Sequence, residues 1–276
     1  MRDDTAITAY TQYTANQETK TMAKAKTRIF AIAQQKGGTG KTTTAHAIGA
    51  GMARAGKRVL FIDLDGQKNL TYTLKALNHD GATAADVLLG KATAESAIIQ
   101  NPAGDTATPC DLIPASDKLA IHTLTGDDWQ FALSKAIEPI KAKYDVIIID
   151  TPPQLGQILA CTLTAATDVI IPTHPDFFSL QGVNQILQTI EQARAINPAL
   201  KTAGVLITKY SQRKALSRDT AALIEQTAKA HKTKVFKTKI RECIALAETA
   251  ATQTDIFTYA PKSNAATDYS NLLMEI

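Results

Sequence analysis

The sequence has little cysteine, few aromatic residues and no long apolar run, and each shortage excludes a class of protein. Its three cysteines, Cys110, Cys161 and Cys243, form no CxxC pair and leave an odd count. We therefore expect buried thiols in a reducing compartment, and neither disulfides nor metal ligands. The five histidines form no HxxH or HxxxH pair, which argues against a zinc site. The longest aliphatic run, at 146–149, is far shorter than the roughly 20 residues that span a membrane.

The chain of 276 residues is long enough for one large domain, and its hydrophobic content of 45% is ordinary for a globular protein. Residues 1–26 are polar and show no helical or strand period, so we expect a disordered extension. They also lack the apolar core of a secretory signal, which predicts a cytoplasmic protein. Residues 27–276 contain no clear linker and are predicted to form a single domain.

Short apolar runs alternate with longer segments of helical spacing along this region. The runs lie at 28–33, 58–62, 112–114, 145–149, 168–172 and 203–208. Helical spacing recurs between most of them, and again at 264–276. Such alternation indicates right-handed βαβ units. We therefore predict an α/β fold with a doubly wound, mostly parallel sheet flanked by helices.

The stretch QQKGGTGKTTT, residues 34–44, follows the first apolar run and precedes a helical segment. A strand, a glycine-rich turn and a helix together form a phosphate-binding geometry, because backbone N–H groups and the helix N-terminus face the anion. Lys41 can reach the β- and γ-phosphates, and the Thr42 hydroxyl can ligate Mg²⁺. The usual GxxxxGK[ST] pattern fails at Gln35, whereas an additional lysine, Lys36, precedes the glycines.

Acidic residues end two of the other predicted strands. Asp63 and Asp65 lie at the end of the second strand, and Asp150 ends the very hydrophobic run VIIID. The carboxyl ends of parallel strands meet at the ligand crevice of such a sheet. Carboxylates beside a phosphate site suit Mg²⁺ coordination and the orientation of an attacking water. Solvated turns or helix caps are the simpler alternative for these acids.

The segment KGGTGKTT resembles the deviant Walker A motif of the ParA/MinD family of P-loop ATPases. This resemblance implies that Lys36 is a signature lysine, which crosses a dimer interface to the nucleotide of the other subunit. The implied ATP-binding residues are Lys36, Gly37, Gly38, Thr39, Gly40, Lys41, Thr42 and Thr43. The implied catalytic residues are Lys36, Lys41 and Asp65, and the implied Mg²⁺ site comprises Thr42, Asp63 and Asp150.

Two further segments carry the same resemblance. DLDGQKN, residues 63–69, is similar to the family's DxDPQxN segment, in which Asp65 positions the hydrolytic water and Asn69 assists. Gly66 and Lys68 replace the usual proline and glycine there. DTPP, residues 150–153, is similar to the family's DxPP segment, in which the acid is the Walker B residue.

Residues 201–241 contain eleven basic and two acidic residues, a net charge of +9 in a chain of net charge +4. A solvated face, a membrane-surface helix and a DNA-backbone contact surface are the alternatives. The region resembles the C-terminal third of ParA-type partition ATPases, in which basic residues bind DNA without sequence preference. The residues to which we carry this role are Arg213, Lys214, Arg218, Lys237, Lys239 and Arg241.

The resemblance implies a nucleoid-associated partition ATPase. ATP and Mg²⁺ would assemble a homodimer that binds non-specific DNA, and slow hydrolysis stimulated by a ParB-like adaptor would release it. A MinD-like membrane ATPase is the first alternative, but the terminal segment has no lysine or arginine. A metabolic or metallocentre enzyme on the same scaffold is the second. We expect no membrane partner.

Overall fold

A computed structural model describes residues 26–106, 108–121 and 124–276. The predicted disordered extension therefore lies outside the described residues, except for Lys26. The described part contains six strands, each built from one of the apolar runs. They are β1 (Arg28–Ile32), β2 (Val59–Asp63), β3 (Cys110–Ile113), β4 (Val146–Asp150), β5 (Asp168–Thr173) and β6 (Lys201–Ile207).

All six strands are parallel and form one sheet in the order β3-β2-β4-β1-β5-β6. β1 and β4 are central and almost wholly buried, which explains why their sequences are continuous apolar runs. The register pairs Asp63 at the end of β2 with Asp150 at the end of β4. The two acids thus reach the same edge of the sheet.

Helices cover both faces of the sheet. They are α1 (Lys41–Arg54), α2 (Asn69–Thr73), α3 (Ala84–Leu88), α4 (Lys118–Ile121), α5 (Ala132–Lys141), α6 (Gln157–Ala165), α7 (Ser179–Ala193), α8 (Ala215–Ala230), α9 (Ile244–Thr252), α10 (Ile256–Tyr259) and α11 (Asn264–Glu275). The apolar sides of α5 to α8 form one core layer with the sheet, and α1 and α11 form the other.

Helix α1 lies unusually close to its neighbours through two glycines. A Cβ atom at Gly49 would lie 2.2 Å from the Phe61 ring, and one at Gly51 would lie 2.3 Å from Leu273 of α11. The hydroxyls of Thr44 and Tyr269 add a buried hydrogen bond of 3.2 Å between α1 and α11. The helix that follows the glycine-rich loop is therefore packed directly on the C-terminal helix.

The predicted α/β fold and parallel sheet are confirmed, and all the predicted strands occur. The assignment of residues 27–276 to a single domain stays a prediction. Cys110 and Cys161 are buried free thiols and Cys243 is half-buried; burial raises the pKa of Cys161 to about 11. In the described residues, no helix is long and apolar enough to cross a bilayer.

Candidate active site

The glycine-rich loop joins β1 to α1 at the carboxyl edge of the sheet. Gly38 and Gly40 have φ angles of 73° and 86°, in the left-handed region that favours glycine. Gly40 is also the N-cap of α1, and its carbonyl accepts a 2.8 Å hydrogen bond from the Thr44 N–H. The loop therefore turns sharply into the helix and presents N–H groups at its N-terminus.

A cavity of about 770 Å³ opens over this loop, a size suited to a nucleotide. Six of the predicted binding residues line it: Gly37, Gly38, Gly40, Lys41, Thr42 and Thr43. Thr39 is buried, and its carbonyl accepts a 2.8 Å hydrogen bond from Thr208. The cavity is also lined by Thr208, Lys209, Ile240 and Arg241.

Lys41 is buried in the floor of the cavity and is 7% exposed. Burial lowers the pKa of its amine, while the nearby carboxylates of Asp150 and Asp65 act in the opposite direction. A desolvated ammonium next to open N–H groups binds a polyanion well, because little water has to be displaced from it.

Asp150 and Thr42 form the best-placed pair for a metal ion. The Thr42 hydroxyl donates a 2.6 Å hydrogen bond to Asp150 Oδ2, and Asp150 Oδ1 is buried with no partner among the described residues. Burial raises the pKa of Asp150 well above its usual range, and Asp63 adds to the effect. A divalent cation would satisfy the orphan oxygen and favour the ionised form, so the oxygen donors fit Mg²⁺.

The described residues contain no group of three or more His, Cys, Asp or Glu side chains able to hold a metal ion by themselves. An ion at Thr42 and Asp150 would therefore take its other ligands from phosphate oxygens and water, as Mg²⁺ commonly does.

Asp63 was predicted as a metal ligand, but its oxygens are used within the chain. Oδ1 accepts from the Asp65 N–H at 3.0 Å, and Oδ2 accepts from both the N–H and the hydroxyl of Thr71, at 2.8 and 2.7 Å. Thr71 in turn accepts from the Ala115 N–H at 3.0 Å. Burial raises the pKa of Asp63 to about 6. The geometry favours a positioning role for Asp63, and the places of Asp63 and Asp150 in a Mg²⁺ site both stay predictions.

Asp65 lies on the cavity wall and is 8% exposed. Its backbone is fixed from two sides, because the Asp63 carboxylate accepts from its N–H and its carbonyl accepts a 2.8 Å bond from the Lys68 N–H. Lys68 has a φ of 58°, the left-handed conformation in which the family has glycine, and its amine pairs with Asp117 at 2.9 Å. The loop after β2 is thus ordered without the family's proline and glycine.

Lys36 does not line the cavity. Its amine forms an ion pair with Asp176, which follows β5, and lies 6.0 Å from the centre of the Phe178 ring. The role of Lys36 as a signature lysine stays a prediction. Asp176 and Thr71 were not predicted as part of the site, since only the folded sheet brings them next to Lys36 and Asp63.

The six predicted DNA contacts differ in what they already bind. Lys214 pairs with Glu242 at 2.9 Å, Lys239 with Glu225 at 3.0 Å, and Arg241 with Asp268 at 2.6 Å. Arg218 donates to the Gln212 carbonyl at 2.9 Å. The side chains of Arg213 and Lys237 have no acidic partner among the described residues. All six assignments stay predictions.

Comparison with known proteins identifies this arrangement. The AAA domain family matches residues 27–202. Sporulation initiation inhibitor protein Soj of Bacillus subtilis is 35% identical over 254 residues, which are 90% of this chain and 98% of that protein. Chromosome-partitioning ATPase Soj of Thermus thermophilus is 35% identical over 92% of this chain and 97% of that protein.

A solved structure of similar sequence is cobyrinic acid a,c-diamide synthase from Mycobacterium smegmatis with bound ADP and magnesium. It is 34% identical, has a TM-score of 0.74, and covers 90% of this chain and 93% of that one. The family resemblance seen in the motifs is confirmed, as is the ATPase class. The chain belongs to the AAA-domain family of ParA/Soj-type P-loop ATPases.

Proposed function

We propose that this protein is a DNA partition ATPase that is switched by ATP binding and hydrolysis. The observation that carries the proposal is the convergence of Lys41, Thr42 and Asp65 on one cavity over a glycine-rich loop, with Asp150 hydrogen-bonded to Thr42 behind it. The names of the Soj relatives, one of them a chromosome-partitioning ATPase, support partition as the process.

The loop and Lys41 bind the triphosphate, and Thr42 with Asp150 holds Mg²⁺. When bound there, the ion would supply positive charge that offsets the negative charge of the phosphates. Asp65 orients the attacking water, whose oxygen forms a bond to the γ-phosphorus while the bond to the ADP oxygen breaks. ADP and inorganic phosphate leave, and the proton of the water passes to solvent or phosphate.

A second copy of the chain completes the site. Lys36 does not line its own cavity and lies near Phe178, whose ring packs edge-on against Phe177; the two phenylalanines are 71% and 75% exposed. Exposed aromatic residues beside a charged lip are typical of an interface. In the ATP-dependent homodimer, Lys36 exchanges Asp176 for the triphosphate of the partner, and the aromatic pair is covered.

The dimer binds non-specific DNA, associates with the nucleoid and is released by hydrolysis, which a ParB-like adaptor stimulates. Two copies double the number of phosphate contacts, so loss of the dimer also removes most of the DNA affinity. A MinD-like membrane function is less well supported, since α11 contains no lysine or arginine to form a basic amphipathic anchor.

Two variants and a control test the proposal. Lys41→Ala should abolish nucleotide binding. Asp65→Ala should bind MgATP without turnover and sediment as a dimer, while the Lys36→Ala control binds nucleotide and remains a monomer. Single subunits of Asp65→Ala at saturating MgATP would refute the switch.

A further inference from the structure

A second cavity adjoins the one over the glycine-rich loop. Its volume is about 250 Å³, just below the range of about 300–1,000 Å³ in which proteins bind drug-sized molecules. His46 of α1 and Thr73 at the end of α2 line both cavities. The helix that begins at the phosphate loop therefore contributes to the walls of both.

Part of the wall of the second cavity is apolar. Ala50 of α1, Phe61 of β2 and Leu74 after α2 are buried residues that line it. Cys110 also lines the cavity, and burial raises the pKa of its thiol, so the thiol stays protonated and uncharged. A short alkyl chain can cover such a surface and remove it from water.

The polar part of the wall contains acceptor oxygens that are unused within the described residues. Asp255 is 3% exposed and caps α10, because its Oδ1 accepts from the N–H groups of Phe257 and Thr258 at 2.8 and 3.1 Å. Its Oδ2 is buried and has no partner there, and the same holds for Oδ1 of Asn101. Asp255 and Asn101 both line the cavity. A buried carboxylate oxygen without a donor is costly, which points to a ligand that supplies one.

Two long side chains with donor groups line the same cavity, and the chain uses both. Gln253 Nε2 donates to the Tyr72 carbonyl at 2.7 Å, and the Lys75 amine donates to the Ala103 carbonyl at 3.5 Å. Lys75 is also exposed, so water solvates its charge. Neither side chain supplies the donor that the buried carboxylate lacks.

Two further titratable groups lie in the wall and add no cation. Burial lowers the pKa of His46, against the opposing charges of Asp255 and Asp105, so its ring is neutral at pH 7. The Asp105 carboxylate accepts from the N–H and the hydroxyl of Thr108, at 3.3 and 2.6 Å. Asp255 Oδ2 is therefore the anionic oxygen of this wall that a ligand can neutralise.

We propose that the second cavity binds a small alkylammonium ion. Its ammonium group donates to Asp255 and Asn101, and its alkyl part lies against Ala50 and Phe61. An ammonium has three donors and a charge opposite to that of the carboxylate, so its hydrogen bonds are of the strong, charge-assisted kind. A bare metal ion fits less well, because the described residues contain no group of three or more His, Cys, Asp or Glu side chains that could hold one. The site does not depend on the proposed function.

The probe for the test is n-butylammonium chloride, and n-butanol is its neutral counterpart of similar shape. Two-dimensional ¹H–¹³C NMR follows the His46 ring and the Ala50 methyl group in the full chain without nucleotide, with potassium chloride as the control for ionic strength. The ammonium should shift both signals saturably, with a Kd of roughly 1 mM, as expected for so small a ligand. n-Butanol should bind more than about 10-fold more weakly, since it lacks the charge.

Asp255→Asn is the decisive variant. Asparagine keeps the acceptor that caps α10 and replaces the unused acceptor with an amide donor, so the chain should fold and bind the ammonium more than about 10-fold more weakly. Glu248→Gln is the matched control, because it removes the same charge from an exposed residue of α9 that does not line the cavity. Its affinity for the ammonium should stay within about twofold of wild type.

Four results would overturn the inference. They are signals that do not move at about 20 mM n-butylammonium, shifts that potassium chloride reproduces, n-butanol binding as tight as that of the ammonium, and wild-type affinity in Asp255→Asn. Should Asp255→Asn melt well below wild type, the comparison of n-butylammonium with n-butanol on the wild-type chain still decides. None of these measurements involves ATP turnover or the MgATP dimer, so the proposed function is tested separately.

Discussion

Replacing Thr71 with valine should both destabilise the protein and slow hydrolysis. The Thr71 hydroxyl donates to the buried Asp63 carboxylate at 2.7 Å and accepts from the Ala115 N–H at 3.0 Å. Valine keeps the shape but leaves the Ala115 N–H unpaired and removes one donor from a carboxylate. A buried unsatisfied donor costs about 1–3 kcal/mol and a hydrogen bond to a charge contributes about 1.5–3. Together these costs predict a loss of about 2.5–6 kcal/mol in the free energy of unfolding.

Urea unfolding at pH 8 without nucleotide measures this loss, because Asp63, with a pKa of about 6, is ionised there. Thr71→Ser is the matched control: it keeps the hydroxyl and should lose only about 1 kcal/mol for a methyl group. ATP turnover should fall more than nucleotide affinity in Thr71→Val, since Asp63 also holds the N–H of Asp65. Equal stability of the two variants would refute the hydrogen-bond argument.

Three further predictions concern separate features. Asp176→Asn removes the ion pair with Lys36, in which the Asp176 and Lys36 side chains are 30% and 34% exposed, so the free energy of unfolding should change by less than about 1 kcal/mol. The MgATP-bound dimer should be tighter in sedimentation equilibrium, and a weaker dimer would contradict this. Lys68→Gly relieves the strain of a side-chain-bearing residue at a φ of 58° and loses only the ion pair with exposed Asp117, so the melting temperature should rise slightly. Lys68→Ala loses the same ion pair and keeps the strain, so it should lower the melting temperature. Burial lowers the pKa of His46 despite the opposing charges of Asp255 and Asp105, although its ring touches a cavity. As the pH falls, His46 is therefore protonated in the unfolded chain at a higher pH than in the folded chain, which favours unfolding. Between pH 7 and pH 5 the wild type should lose more free energy of unfolding than His46→Asn, as measured by urea midpoints.

Most of the fold could be predicted from local pattern. The six apolar runs are strands because a parallel sheet covered on both faces needs continuous apolar segments, as in VIIID at β4. The loop between β1 and α1 was equally predictable, because Gly38 and Gly40 adopt conformations that other residues avoid. Both signals depend on neighbouring residues in the sequence.

The rest depends on contacts between distant residues, which a single sequence does not encode. Asp63 and Asp150 look alike as strand-end acids. In the folded chain Thr71 adds two donors to the one that Asp65 gives to Asp63, whereas one oxygen of Asp150 has no partner among the described residues. The same limit applies to the basic segment. Its charges are equivalent in sequence, but Asp268 lies beside Arg241 only after α11 has packed.

The contact between α1 and α11 extends the influence of the bound nucleotide to the far end of the chain. Leu273 lies where a side chain on Gly51 would be, and Tyr269 bonds Thr44 one turn after the phosphate loop. A ligand that stabilises only the folded chain shifts every opening reaction that must separate these helices. Amide protons of the last helix should therefore exchange more slowly with solvent deuterium when nucleotide is added, although no residue of that helix would need to touch a phosphate.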